Sequence, residues 1–314
     1  MIAVFWGLFG ALLIGVSDCI ARVTAQKTST TTLFVYIMGL SAIAMTVYFA
    51  IVGTWPQVPT GLDDSLIIYG WFAAFCSGIL TLVVLFLLYL ALARGPVAVA
   101  SPAASTFTII LIAINAIVGE PFTWMQIVSG VFVFLGVFML ARRNAEDEAT
   151  ASYDAKWIRT TALLGVSVGA MVSIRFFFAQ ESGDALGSLE SLYLNRLFAC
   201  VGVVIMLGWH LKKANVLIWP SKEMIPFVVM QSVLEVSAIG AFIIGSAGDG
   251  RVGATIGFSA FSAVTATAAW IFLGERFGLK RGFWMAVVIS GVMLATLSAP
   301  VKNELITEIE TPIN

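Results

Sequence analysis

Ten long apolar runs divide the chain: 2–22, 32–53, 66–93, 96–118, 122–142, 158–179, 189–211, 224–245, 252–273 and 279–298. A helix needs roughly 20 apolar residues to cross the hydrocarbon of a bilayer. The runs are continuous rather than alternating, which predicts spanning helices and not the strands of a barrel. The first run has no basic lead-in and no small-residue cleavage site, so it reads as a spanning helix, not a signal peptide. Most connections are short and carry turn residues: Trp55-Pro56, Arg94-Gly95-Pro96 and Gly248-Asp249-Gly250. The longest polar stretch, 142–157, falls between runs five and six. The polar, acidic tail 302–314 is expected to be disordered.

The pattern repeats at half length. Gly119-Glu120-Pro121-Phe122 opens a run ending Gly136-Val137-Phe138-Met139-Leu140, and Gly274-Glu275-Arg276-Phe277 opens one ending Gly291-Val292-Met293-Leu294. The offset is 155 residues, and it also maps Gly95-Pro96-Val97 onto Gly250-Arg251-Val252. An all-α integral membrane protein follows, with ten transmembrane helices as two five-helix repeats: 1–142, a linker 143–157, 158–298, and a tail 299–314. Five is odd, so the second repeat sits inverted relative to the first. A substrate site is then expected near the midplane between the halves.

Composition agrees. Of 314 residues, 60% are hydrophobic and 11% charged, and mean hydropathy is +0.98. Soluble proteins carry about 25% charged residues. A net charge of −1 gives no basic surface for nucleic acid. Cys19, Cys76 and Cys200 lie inside apolar runs and read as small core residues, and His210 reads as interfacial, so no metal or cofactor is expected. Thirteen Lys and Arg flank the runs on the side opposite the N-terminus, against four on the N-terminal side (Arg251, Lys302, and Arg175 and Arg196 inside run ends). This bias predicts both termini outside the cytoplasm and the linker inside.

Buried charge marks candidate chemistry, because ionised side chains at the bilayer centre are costly. Glu235 lies mid-run with no Lys or Arg within ten residues, and Gln231 is one turn earlier on the same face. Glu235 suits a substrate cation or a coupling proton; the plain alternative is a protonated carboxyl sharing a hydrogen bond. Asp18 suits binding too, with an i,i+4 pair to Arg22 as the structural alternative. Arg175 either snorkels to the surface or holds a carboxylate. Ser101, Ser105, Thr108 and Asn115 form one polar stripe, and Thr255, Ser259, Ser262 and Thr265 another. They line a wet path or merely let helices pack closely. Pro102 and Gly257 occupy equivalent positions and are expected as hinges. Trp71 and Trp270, with Glu235, would make an aromatic cage for a quaternary amine. Trp55, Trp124, Trp157, Trp209 and Trp219 read as an interfacial belt. Glu120 and Glu275 are expected to cap the helices they open.

Ten runs in two halves, with Gly119-Glu120-Pro121 before the fifth and Gly274-Glu275-Arg276 before the tenth, resemble the drug/metabolite transporter superfamily, EamA type. The resemblance covers most of the chain and is strongest at 89–140 and 242–298. Many members carry an arginine early in runs two and seven; here only Arg196 matches. The resemblance implies small-metabolite transport across an inner membrane, often export of amino acids. It implies a cavity lined by runs 1, 3, 4, 6, 8 and 9, with runs 5 and 10 at an edge where a second copy docks. The family's usual orientation puts both termini in the cytoplasm, against the charge count.

The reading is a secondary active transporter, not an enzyme, moving a small polar or zwitterionic metabolite by alternating access with proton coupling at Glu235. The alternatives are a cation, quaternary-amine or drug exporter, and a non-transporting scaffold or sensor. There is no Gly-x-x-x-x-Gly-Lys-Ser/Thr for ATP and no His-Glu-x-x-His for metal hydrolysis.

Overall fold

The computed structural model describes residues 2–61, 63–94, 100, 103–104, 106–119, 123–140, 154–213, 217–273, 280, 282–284, 286–287, 290–291 and 294. All regular structure among them is helical. The elements are α1 (Ile2–Lys27), α2 (Thr30–Val52), α3 (Ser65–Arg94), α4 (Phe107–Val118), α5 (Trp124–Leu140), α6 (Ala155–Leu186), α7 (Ser188–Lys212), α8 (Ile225–Ser246), α9 (Arg251–Ser259) and α10 (Phe261–Leu273). Seven stretches are long and apolar enough to span a membrane, α9 and α10 counting as one. The fourth and fifth runs form the shorter helices α4 and α5. Described residues of the tenth run are helical, and Gly291 lies against Ser129, Phe132 and Val133 of α5.

Residue placement is inside out, as lipid requires. On α3 the outward face is Phe72, Phe75, Ile79, Val83, Phe86 and Leu90, all exposed, while Ser77 and Thr81 are fully buried on the opposite face. Those spacings of three and four are one stripe of a helix. Backbone groups are satisfied within each helix, so the apolar stripe faces hydrocarbon without penalty. The five tryptophans expected at the interface lie near helix ends and are exposed.

Local chemistry sets the ends. Gly119 closes α4 at φ 93°, a left-handed conformation that glycine adopts without a Cβ clash. Helix α5 opens on a reciprocal capping box. The Thr123 N–H donates to Gln126 Oε1 at 2.9 Å, and the Gln126 N–H donates to Thr123 Oγ1 at 3.3 Å. The expected caps, Glu120 and Glu275, lie outside the described residues; the hydrogen bonds that open α5 come from Thr123 and Gln126. Pro226 in the first turn starts α8.

Helix α1 packs along α8, α9 and α10, and α3 packs along α6. Helix α4 lies on α6 and α9, whereas α2 and α7 pack on each other and on α8 and α3 respectively. This encloses a centre bounded by α1, α3, α4, α6, α8 and the α9–α10 pair.

Candidate functional site

A cavity of about 60 Å³ lies at that centre. Its walls are largely apolar: Ile14 from α1, Val84, Leu85 and Leu88 from α3, Ala104 and Phe107 beside and on α4, Val168, Val172 and Phe176 from α6, Ile239 from α8, and Phe258 and Phe261 from α9 and α10. Three charged side chains face it: Asp18, Arg175 and Glu235. These elements are the runs that the family resemblance implied for a cavity. That is small beside the roughly 300–1,000 Å³ of a typical ligand pocket, so a metabolite needs the helices to part.

Glu235 does not stand alone. Both its oxygens accept from Arg196 Nη1 of α7, at 3.1 and 3.0 Å, with the two side chains 0% and 5% exposed. The same Nη1 lies 3.4 Å from Met38 Sδ, while Nε and Nη2 of Arg196 have no hydrogen-bond partner. The sequence pattern does not single out Arg196 as a site residue. The signal was depth: Arg196 is eight residues into α7, Glu235 is eleven from the end of α8, and the two helices run in opposite directions. At 1.5 Å per residue both lie about 12–17 Å from the same membrane face.

Asp18 turns away from Arg22. It accepts from Thr265 Oγ1 at 3.3 Å, and Arg22 Nη1 donates to Leu92 O at 3.5 Å, so the expected i,i+4 pair is replaced by a contact between α1 and α10. Arg175 is buried at 4% exposure rather than snorkelling. Its guanidinium lies 5.3 Å from the Phe176 ring centroid, and its Nε and Nη2 have no hydrogen-bond partner. A buried donor without a partner carries its full desolvation cost. Two such donors beside a cavity fit a guest with oxygen acceptors.

Polar layers bound the cavity on both sides. Toward the C-terminal end of α1, Thr24 Oγ1 donates to Gln231 Oε1 at 3.0 Å, and Gln231 Nε2 donates to the Tyr89 hydroxyl. Gln231 therefore ties α1, α8 and α3 together and is absent from the cavity wall. Toward the N-terminal side, Phe242 stacks on Phe176 at 4.2 Å and meets Phe258 at 5.2 Å. Beyond this plug, Arg251 clamps α6 to α9: Nη1 to Glu181 Oε1 at 2.5 Å, and Nη2 to Asp184 Oδ2 at 2.6 Å. Tyr69 of α3 donates to Glu181 Oε2 at 2.9 Å. Asp184 is 37% exposed, so the clamp is only partly shielded from salt. Arg251→Gln is expected to speed labelling of a cysteine at Ile239 by an impermeant thiol reagent several-fold from the N-terminal side, in a chain lacking its own cysteines. An unchanged rate would mean that the clamp does not hold that mouth shut.

The remaining expected site residues scatter. Ser105 and the hinge Pro102 lie outside the described residues, as does Ser101. Thr108 is fully buried with no partner for its hydroxyl, and it is not in the cavity wall. Ser262 donates to Ser259 O of its own chain segment at 3.5 Å. Trp71 donates from Nε1 to Gln57 O at 2.8 Å, and Trp270 is 53% exposed; neither reaches the cavity, so no aromatic cage forms around Glu235. Gly257 is within α9, and the helix breaks instead at Ala260. There the Ala260 N–H bonds to Gly257 O, a tighter i−3 turn. The Ser259 and Ser262 hydroxyls bond to nearby carbonyls and compete with the helical ladder.

Comparison with known proteins gives a family and a fold. No curated protein matches the chain significantly. Twenty-eight chains of solved structures do. One crystal structure superposes with a TM-score of 0.71 at 14% identity, covering 95% of this chain and 99% of that one. This shows a shared fold. The sequence model of the EamA-like transporter family matches residues 1–142. Its long apolar helices fit a multi-pass membrane protein, and over residues 1–142 the chain matches the EamA-like transporter family, which belongs to the drug/metabolite transporter superfamily.

Proposed function

We propose that the protein is a secondary transporter carrying a small zwitterionic metabolite with an apolar side chain, amino-acid-like, across an inner membrane by alternating access. The observation that carries this is Arg175. Its unsatisfied donors meet a cavity whose other polar groups are acidic and whose walls are aliphatic and aromatic. Arg175 takes the carboxylate, for which its planar fork is suited. Glu235 still has lone pairs beyond its bond to Arg196 and faces the ammonium group. The walls take the side chain. A scaffold or sensor gives no reason to bury four charges in one layer.

Two inverted repeats exchanging about the cavity fit the packing. Gly10 lies against Phe258, and Gly165 lies against Ala103. Each member of the first pair is 155 positions from a member of the second. Helix pairing follows suit: α1 with α8 as α6 with α3, and α2 with α8 as α7 with α3. Rocking one repeat against the other would open the Arg251 side and the Gln231 side in turn. The charge bias supports both termini outside the cytoplasm. Helix α5 exposes Val131, Phe132, Leu135 and Phe138, a face for a second copy. A proton gradient working through the cavity acids is part of this reading.

The test is binding and uptake of leucine in reconstituted vesicles. A hydrogen-bonded charge contact contributes about 1.5–3 kcal/mol. Arg175→Gln should therefore weaken leucine binding by about 10- to 100-fold, with Arg175→Lys intermediate. Equal affinity in wild type and Arg175→Gln removes the carboxylate role. Saturable uptake of tetraethylammonium without leucine binding would favour a cation exporter.

A further inference from the structure

We infer that Asp18, rather than Glu235, is the carboxyl that exchanges the coupling proton, and that its proton travels in the same direction as the substrate. The inference rests on the transport reading above and names the residue through which it is driven.

Pairing separates the two acids. Glu235 is held through both oxygens by Arg196, which is fully buried. Protonating Glu235 would leave that guanidinium uncompensated inside the bilayer, and a lone buried charge is the costliest outcome for such a pair. Asp18 has no such tether. It is 3% exposed, faces the cavity, and its hydrogen-bond partner is the Thr265 hydroxyl at 3.3 Å. A hydroxyl both donates and accepts, so it serves the ionised and the protonated carboxyl alike by rotating its proton. Asp18 alone among the cavity acids can therefore change state without breaking an ion pair.

The surroundings give the direction of coupling. The charged and titratable groups around Asp18 are Glu235 on α8 with its partner Arg196 on α7, Arg175 on α6 and Tyr89 on α3, with Arg22 one turn on along α1, whose Nη1 reaches Leu92 O; α10 contributes the neutral Thr265. With Asp18 ionised, two acids balance two guanidiniums, Arg175 and Arg196. With Asp18 protonated, one acid faces two guanidiniums, and Arg175 holds a carboxylate more tightly. Linkage is reciprocal, so a bound carboxylate favours proton uptake at Asp18. The proton moves from bulk water onto a carboxylate oxygen and returns to water on the far side; no other reactant is needed. Proton and cargo thus load together and leave together.

Two measurements decide it. In the first, leucine affinity is followed from pH 5 to pH 8 for wild type, Asp18→Asn, Asp18→Glu and Glu235→Gln. Wild type should bind more tightly as pH falls, by up to tenfold per unit, and Asp18→Glu should keep a slope. The affinity that remains in Asp18→Asn should be flat. A slope that survives in Asp18→Asn and disappears in Glu235→Gln overturns the assignment. The second needs no substrate: infrared spectra of the purified protein should contain a protonated-carboxyl C=O band that titrates with pH and is lost in Asp18→Asn. A titrating band unchanged in Asp18→Asn overturns it too. Pairing these outcomes separates the two readings. Leucine binding with no Asp18-dependent slope or band leaves the transport reading standing and sinks this one. An Asp18 band without leucine binding sinks the substrate reading.

Discussion

Arg196→Met is expected to destabilise the folded protein by about 3–5 kcal/mol, the range for removing one partner of a buried ion pair. The reason is what remains. Glu235 would stay at the centre of the helix bundle with both hydrogen bonds from Arg196 gone, and the side chain that held it is one of the largest fully buried groups among the described residues. Arg196 also bridges three helices, since its Nη1 touches Met38 of α2 as well as Glu235 of α8. Replacing both members by apolar residues, Arg196→Met with Glu235→Leu, should recover most of the loss, because buried pairs offset their own desolvation poorly. On the proposed transport reading, uptake should be lost in the double variant even so, since the cavity loses an acidic wall. Reversible unfolding in detergent, read as a double-mutant cycle, measures the coupling between the two side chains. If the single variant is as stable as wild type, the pair is not holding α7 to α8.

The helices were legible because lipid as solvent writes long apolar runs, and the run limits agree with the observed helices within a few residues for α2, α3, α7 and α8. What composition cannot write is partnership across the bundle. Glu235 stood out in the sequence because its own helix offers no cation, and for the same reason its partner had to come from elsewhere. Arg196 is 39 residues away in sequence and on a different helix. Asp18 met the opposite fate: a cation one turn away looked sufficient, yet α10 brings a hydroxyl closer. The tryptophan cage failed because membrane helices spend aromatic residues on lipid-facing and interfacial positions, and Trp71 and Trp270 are used that way. The serine and threonine stripe of α9 and α10 mostly serves its own backbone. Thr255, Ser259 and Ser262 all bond to carbonyls three or four residues back, and Thr265 reaches across.

Gly257→Ala, one added methyl group, is expected to destabilise the protein by about 2–3 kcal/mol, at the upper end of ordinary overpacking. A Cβ built there would lie 2.4 Å from the Val4 carbonyl oxygen, 3.0 Å from Leu8 N and 3.1 Å from Gly7 Cα. The obstruction is backbone on every side, so no rotamer change relieves it. Gly7 faces the same crossing from α1, where a Cβ would meet Ala254 O at 2.3 Å and Phe258 N at 2.8 Å. Helices α1 and α9 therefore touch main chain to main chain, the close approach that small residues permit in membranes. This crossing, rather than flexibility, accounts for the glycine expected from sequence to be a hinge. It also holds Asp18 near Thr265, because the α1–α9 contact fixes how α10 departs from Ala260. A methyl group at 257 should thus push the two helices apart and loosen the cavity wall as well as the fold. Gly39 and Gly208 supply the control. Both lie inside helices, and a Cβ at either meets nothing within 4 Å. Alanine there should be neutral or should stabilise by up to about 1 kcal/mol, the difference in helix propensity. Thermal unfolding of the three alanine variants in one detergent would order them Gly257→Ala far below wild type, with Gly39→Ala and Gly208→Ala at or above it. A Gly257→Ala protein that melts with the controls would mean that α1 and α9 do not cross this closely.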